Sequence, residues 1–165
     1  KIAKRAKAFD LHINYYCRNQ EKSDIENQYG AYYSDLNNLC KNSDFIVVIV
    51  PYSKETHHLI SYDQISLMKR NSIIVNVARG GVINDEALIQ ALREKKIFGA
   101  GIDVFENEPK INEGFYELDN VVLSPHVGSG TYDTRKAMSL KASENIISAV
   151  IHKNFINLVN KELLN

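Results

Sequence analysis

The chain has 165 residues, of which 44% are hydrophobic and 24% are charged, as is typical of a soluble globular protein. Lys plus Arg and Asp plus Glu each number 20, so the net charge gives no support to binding of nucleic acid or of an anionic membrane surface. The longest apolar run, FIVVIV at residues 45–50, is far too short to span a bilayer. The two cysteines form neither a disulfide framework nor a zinc motif, which indicates reduced thiols and a cytoplasmic protein.

The chain alternates between helical and extended patterns from its first residue. Residues 1–9 have helical spacing, residues 11–17 predict a strand, and the charge-rich residues 18–28 predict a solvated loop and helix face. A short helix with a Ser or Asp cap follows at residues 34–44. The apolar run at residues 45–50 then predicts a strand buried on both faces, as in a parallel sheet.

The same alternation continues to the end of the chain. The further predicted elements are helices at residues 61–70, 84–96 and about 131–152, and strands at residues 72–77, within 96–104 and at 120–124. Strands and helices at this spacing predict right-handed βαβ units and an α/β fold with a doubly wound parallel sheet. Such a fold normally starts with a strand and a glycine-rich turn, whereas this chain opens on a helix. We therefore expect the first strand and its glycine-rich turn to be missing.

Chemically capable side chains follow several of these strands. Arg79, Asp103 and His126 stand just beyond strand ends, where an open α/β sheet binds its ligands. An arginine can grip a carboxylate with two parallel hydrogen bonds, and a histidine can transfer a proton near neutral pH. A carboxylate bonded to that imidazole would orient it and favour its cationic form. This set suits reduction of a 2-oxo acid by hydride from a nicotinamide.

The same residues have simpler interpretations. Arg79 could be a surface arginine, His126 could merely end a strand, and Asp103 could accept backbone N–H bonds in the turn after its strand. Glu106 is expected to face water.

The remaining histidine and cysteine positions give weak signals. His57 and His58 are adjacent, with no third ligand at zinc-like spacing, so a loop or the start of a helix is favoured over a metal site. Cys17 and Cys40 are interpreted as small packing residues. No metal is expected.

Three segments, NVARGGVINDEAL, AGIDVFENEP and SPHVGSGT, occur in this order. They resemble the signature segments of the D-isomer-specific 2-hydroxyacid dehydrogenase family, and ETHHLI is similar to its glyoxylate/hydroxypyruvate and 2-ketogluconate reductase branch. The resemblance implies a Rossmann-type NAD(P)-binding domain at residues 1–130, incomplete at its start. It also implies that residues 131–165, a terminal helix and tail, return toward a substrate domain, and that the full-length protein is a homodimer.

The resemblance further implies NAD(P)H-dependent reduction of a small 2-oxo acid (glyoxylate, hydroxypyruvate or 2-ketogluconate) to the D-2-hydroxy acid. Two alternatives stay open: a nucleotide-sensing, corepressor-like interaction protein on the same scaffold, and an inactive fragment of the reductase. Arg79, Glu108 and His126 match the family's catalytic arginine, acid and acid/base histidine. The positions that match or adjoin the cofactor site are Cys17, Arg18, Asn19, Pro51, Thr56, Val77, Ala78, Arg79, Asp103, His126 and Gly128.

The choice between the two nicotinamide cofactors depends on the end of the second strand. An acidic residue there would accept hydrogen bonds from the ribose hydroxyls of NAD. This chain has Cys17, Arg18 and Asn19 instead. The missing acid and the added cation favour NADP slightly over NAD.

Overall fold

The computed structural model describes residues 1–19, 23–160 and 162. Its α-helices are α1 (Ile2–Ala8), α2 (Ser23–Tyr29), α3 (Leu36–Asn42), α4 (Tyr62–Leu67), α5 (Asp85–Arg93) and α6 (Tyr132–Val150). Its strands are β1 (Ile13–Tyr15), β2 (Ala31–Tyr33), β3 (Phe45–Val48), β4 (Ile73–Asn76), β5 (Gly99–Ile102) and β6 (Val121–Leu123). The chain forms two compact units, Lys1–Pro125 and His126–Asn165.

Two parallel sheets organise the first unit. Strand β1 pairs with β2, while β3, β4, β5 and β6 form a four-stranded sheet in that order. The register places Val48 beside Asn76 and Asn76 beside Ile102, so the carboxyl ends of β3, β4 and β5 meet at one edge. The predicted α/β fold is confirmed as a Rossmann-like parallel sheet with flanking helices.

The hydrophobic core lies on one face of the four-stranded sheet. Along β3, Ile46 and Val48 are buried, whereas Phe45 and Val47 are 61% and 38% exposed. The prediction that residues 45–50 are buried on both faces is therefore wrong for this chain. The physical reason is that the buried side chains of α3, α4 and α5 join Ile46 and Val48 in one core cluster, which covers a single face.

Helix caps explain where the central helices begin. The Asn84 side chain accepts the Ala87 N–H at 2.9 Å and starts α5, as predicted. The Asp35 carboxylate does the same for the Asn38 N–H at 2.9 Å and starts α3. Helix α5 ends at Arg93, three residues earlier than predicted, and the 3₁₀ turn Glu113–Glu117 has no counterpart among the predicted elements.

The second unit consists mainly of α6, capped by Thr131, whose hydroxyl oxygen accepts the Thr134 N–H at 3.3 Å. Near the end of this helix, the Ser148 hydroxyl donates to the Asn154 carbonyl at 2.6 Å and holds the tail against the last turns. In the described ranges, no helix combines the length and the apolar character needed to cross a membrane.

Candidate active site

A cleft of about 770 Å³ opens beyond the carboxyl ends of β3 and β4. It contains several predicted site residues from three separate segments, among them Arg79 and Glu108. The full lining comprises Ile49, Val50, Pro51, Tyr52, Val77, Ala78, Arg79, Gly80, Phe105 and Glu108. The structure therefore brings together five predicted positions: Pro51, Val77, Ala78, Arg79 and Glu108.

Arg79 is exposed at this cleft, and a buried asparagine fixes the turn that carries it. The Asn76 side chain, on a residue that is 1% exposed, accepts the Ala78 N–H at 3.1 Å and donates to the Arg79 carbonyl at 3.2 Å. The guanidinium donates through Nη1 to the Ala78 carbonyl at 2.7 Å. Asn76 was not among the predicted residues, although a polar residue at the end of an apolar strand was a signal for it.

The two glycines after Arg79 have different structural requirements. A Cβ on Gly80 would lie 1.8 Å from the Phe105 carbonyl oxygen, so only glycine fits there. Gly81 has a φ of +78°, in the left-handed region that favours glycine. Residues 103–108, here called the acid loop, consequently pack directly against the backbone that follows Arg79.

The acid loop holds Glu108 by a local hydrogen bond. The Phe105 N–H donates to Glu108 Oε1 at 2.9 Å. This bond fixes one carboxylate oxygen of Glu108 against the main chain of its own loop. Glu108 thus lines the cleft beside Arg79 with its carboxylate oriented by the backbone.

Glu106 does not face water as predicted. Its Oε1 lies 2.8 Å from His58 Nε2 and accepts the Asp85 N–H at 3.1 Å, and the exposed fraction of its side chain is 25%. Its own N–H donates to Asp85 Oδ2 at 3.2 Å. The prediction failed because these partners lie 48 and 21 residues away in sequence.

Asp85, at the first turn of α5, is an unusual carboxyl group. Burial raises the pKa of Asp85 to about 6, and the nearby Glu106 charge adds to the rise while the Glu106 N–H opposes it. The residue is 5% exposed. Asp85 and Glu106 are therefore two neighbouring acidic residues, and Glu106 belongs to the acid loop that forms part of the cleft.

Asp103 is buried, with 9% exposure, and its Oδ1 accepts the Ser124 hydroxyl at 2.5 Å. The Ser124 N–H also donates to the Ile102 carbonyl at 2.9 Å. These bonds fix the chain at the carboxyl edge of β5 and β6, one residue before Pro125. The contact of Asp103 with a nicotinamide remains a prediction.

His126 and Gly128 belong to the second unit. His126 has a φ of 52°, in the left-handed region, and the Gly130 N–H donates to the Val127 carbonyl at 2.8 Å to close the next turn. The catalytic and cofactor roles of His126 and Gly128 remain predictions.

The loop after β3 is held together by Thr56. Its hydroxyl oxygen accepts the Ser53 N–H at 2.7 Å, and its O–H donates to the Pro51 carbonyl at 2.8 Å. A hydroxyl used in this way fixes the loop backbone at the cleft, while the predicted cofactor contact of Thr56 stays a prediction.

The loops after β1 and β3 are electrostatic neighbours. The Ser53 hydroxyl lowers the pKa of Glu55, and the charge of Arg18 contributes to the same shift. Arg18 therefore lies near the loop that follows β3.

The two cysteines differ in burial. Cys17 is half-buried and donates its thiol hydrogen to the Asn19 carbonyl, whereas Cys40 is fully buried as a packing residue.

His57 and His58 lie in a loop, which confirms that part of the prediction. Their rings stack with centroids 3.9 Å apart, and the Tyr52 hydroxyl lies 3.2 Å from His57 Nδ1. Among the residues described by the structure, no group of three or more His, Cys, Asp or Glu side chains could hold a metal ion.

Comparison with known proteins gives a consistent result. Residues 1–128 match the family model described as D-isomer specific 2-hydroxyacid dehydrogenase, NAD binding domain. The glyoxylate reductase of Thermococcus onnurineus (strain NA1) is 47% identical over 164 residues, which are 99% of this chain and 49% of that protein. The chain thus spans about half the length of the curated relatives it matches.

Solved structures of similar proteins agree with the fold. The chain is similar to a glyoxylate reductase from Paecilomyes thermophila, with a TM-score of 0.83 and 34% identity over 98% of this chain and 48% of that one. It is also similar to an NADPH-dependent glyoxylate/hydroxypyruvate reductase from Sinorhizobium meliloti in complex with NADP and malonate. That structure has a TM-score of 0.83 and 34% identity, over 91% of this chain and 46% of that one. The chain therefore belongs to the D-isomer specific 2-hydroxyacid dehydrogenase family, whose NAD-binding domain its residues 1–128 match.

Proposed function

We propose that the full-length protein reduces a small 2-oxo acid, of the glyoxylate, hydroxypyruvate or 2-ketogluconate type, to the D-2-hydroxy acid with NAD(P)H. The observation that carries this proposal is the placement of Arg79 and Glu108 in one cleft at the carboxyl edge of the sheet. The names of the relatives from T. onnurineus and S. meliloti support the substrate class.

In this proposal, Arg79 binds the substrate. Its planar guanidinium grips the carboxylate through two hydrogen bonds and polarises the adjacent carbonyl. Gly80 beside it lets the acid loop pack directly on this turn, because a Cβ there would lie 1.8 Å from the Phe105 carbonyl oxygen. The close packing keeps the loop that carries Glu108 next to the segment that carries Arg79.

Proton transfer is assigned to His126 and Glu108. His126 donates a proton to the carbonyl oxygen, and Glu108 orients the imidazole and favours its cationic form. A bound nicotinamide would supply the hydride, and with it the electron pair that the carbonyl carbon needs to become an alcohol carbon. The match of SPHVGSGT to a signature segment of the family whose model covers residues 1–128 supports this assignment.

The residues of the cleft fit a nicotinamide cofactor. One wall consists of the apolar Ile49, Val50, Pro51 and Val77, which suits the face of a flat ring. The exposed Arg18 and the lack of an acid at residues 17–19 favour NADP, since the cation can pair with a 2′-phosphate. Values of kcat/KM for NADPH and NADH test this: NADPH should be preferred, equal values would refute the preference, and a strong NADH preference would reverse it.

We further propose a cytoplasmic homodimer in which residues 131–165 pack against a substrate domain. Apolar side chains of α6 support this, since Met138, Leu140, Ile146 and Val150 are all more than half exposed, at 54% to 63%. Light scattering of the full-length protein should give the mass of a dimer, and a monomer would contradict that part.

The deciding experiment is turnover of the full-length protein with NADPH or NADH and each of the three 2-oxo acids. His126→Ala should lower kcat by about 10²- to 10⁴-fold, the usual contribution of a general acid, while cofactor affinity stays close to the wild-type value. His152→Ala, an exposed histidine of the same unit, is the control. Near-normal turnover of the His126 variant would remove the assignment, and a wild-type protein that binds NADPH without turnover would favour the sensing alternative.

Glu108→Gln tests the pairing with His126. A neutral amide no longer favours the protonated imidazole, so the high-pH limb of the pH–rate profile should move to lower pH. An unchanged profile would contradict the pairing.

A further inference from the structure

A carboxylate–imidazole pair outside the predicted catalytic set lies next to the segments that line the cleft. His58 Nε2 and Glu106 Oε1 are 2.8 Å apart, with 31% and 25% of the two side chains exposed. Glu106 is also joined to Asp85 twice, once through each residue's N–H. Glu106, a residue of the acid loop, therefore contacts both the loop after β3 and the start of α5.

The helix cap of α5 determines the tautomer of neutral His58. Asn84 uses its Oδ1 to accept the Ala87 N–H at 2.9 Å, so its amide nitrogen is the atom 3.1 Å from His58 Nδ1. An amide nitrogen only donates, which makes His58 Nδ1 the acceptor. The ring proton of neutral His58 consequently resides on Nε2 and is donated to Glu106.

The segment that Glu106 anchors is the one that arranges the cleft. The Phe105 N–H holds the Glu108 carboxylate at 2.9 Å. The Phe105 carbonyl oxygen is packed so closely on Gly80 that a Cβ there would be 1.8 Å away. A displacement of the Phe105–Glu106 peptide therefore moves the support of Glu108 and the backbone next to Arg79 at the same time.

The other end of the pair also leads to the cleft. The His58 ring stacks on His57, and His57 Nδ1 lies 3.2 Å from the Tyr52 hydroxyl, whose residue lines the cleft. A continuous series of contacts, from Tyr52 through the two histidines to Glu106, therefore connects the loop after β3 to the acid loop that carries Glu108.

We propose that Glu106 and His58 are positioning residues for the proposed reductase reaction, holding the acid loop so that Glu108 and Arg79 keep their catalytic placement. This inference rests on the proposed function. A purely structural role, in which Glu106 only stabilises the start of α5, predicts a loss of stability without a change in the pH–rate profile.

The test uses the full-length protein with Glu106→Ala and Glu106→Gln, and with Glu117→Ala as the matched control. Glu117 is also an ion-paired glutamate, 2.8 Å from Arg93, but it is exposed and lies outside the acid loop. Glu106→Ala should lower kcat by about 10- to 100-fold, the range expected when catalytic groups shift by about 1 Å. Glu106→Gln should stay within about 3-fold of wild type, because its carbonyl oxygen can accept from both His58 and the Asp85 N–H.

Two further readouts separate positioning from stability. The high-pH limb of the pH–rate profile should move with Glu106→Ala, as for Glu108→Gln, and stay in place with Glu117→Ala. Hydrogen exchange of the peptide that covers the acid loop should accelerate in Glu106→Ala and in His58→Phe, a variant that keeps an aromatic ring but removes both nitrogens. The kcat of the double variant Glu106→Ala/His58→Phe should be no lower than that of the slower single variant, since both changes remove the same His58–Glu106 contact.

The outcomes are distinguishable. The inference is overturned if the wild type is active but Glu106→Ala matches Glu117→Ala in kcat, profile and exchange, or if the Glu106 and His58 effects simply multiply. If Glu106→Ala fails to fold, His58→Phe decides by the same profile and exchange criteria. If the wild type reduces none of the 2-oxo acids, the proposed function fails and the inference with it, whatever the exchange data are.

Discussion

Gly80→Ala should damage both stability and turnover, because the new methyl group would meet main-chain atoms. Its Cβ would lie 1.8 Å from the Phe105 oxygen, 2.1 Å from the Phe105 carbonyl carbon and 2.7 Å from the Glu106 nitrogen. A normal carbon–oxygen contact is about 3.3 Å, so one backbone must move by roughly 1.5 Å. We expect a loss of about 3 kcal/mol or more in the free energy of unfolding, above the usual overpacking range because no side chain can rotate away.

The same displacement should lower kcat/KM by about 100-fold, since it separates Arg79 from Glu108. Urea unfolding of the full-length protein measures the first effect and steady-state kinetics the second. Gly101→Ala is the control, because its Cβ would meet only Val75 methyl groups at 3.7 Å, an ordinary contact. If the Gly80 and Gly101 variants had the same unfolding midpoint and turnover, the close packing of the acid loop on Gly80 would be refuted.

Two further predictions concern titration and reactivity. Because burial raises the pKa of Asp85 from 3.8 to about 6, the folded carboxyl holds its proton more tightly than the unfolded one, and this group makes stability fall as pH rises from about 4 to about 6. Asp85→Asn removes that fall. The free energy of unfolding of the variant minus that of the wild type should therefore increase by about 1 to 2 kcal/mol from acidic to neutral pH, after allowance for solvent screening. A difference that does not change with pH would contradict this. Burial also raises the pKa of the Cys40 thiol to about 11, so iodoacetamide at neutral pH should modify the half-buried Cys17 and leave Cys40 unlabelled in the folded protein. Equal labelling of both, measured by mass spectrometry, would show that Cys40 is accessible.

The meeting of Arg79 and Glu108 at one cleft follows from the parallel sheet, although Glu108 was singled out among the acids only by the resemblance to the dehydrogenase family. The carboxyl ends of such strands share one edge, so residues far apart in sequence converge there without any knowledge of side-chain packing. Helix starts were predictable for a related reason, since the Asn84 cap forms a bond only three residues along the chain.

The role of Glu106 and the exposure of β3 were not predictable in this way. Glu106 depends on His58, 48 residues away, and no periodic pattern encodes such a contact. An apolar run such as residues 45–50 shows that a strand can be buried, but the number of covered faces depends on where the helices pack. In this chain α3, α4 and α5 join the core of one face, so Phe45 and Val47 remain exposed.

The two walls of the cleft differ in how freely they tolerate substitution. One wall is main chain in van der Waals contact, at Gly80 and Phe105, and leaves no room for an altered side chain. The other presents the side chains of Ile49 and Tyr52, which are 61% and 52% exposed. Changes to the volume and polarity of the cleft should therefore be sought at Ile49, because the Tyr52 hydroxyl is engaged with His57, whereas the Ile49 side chain can vary without displacing the main chain next to Arg79.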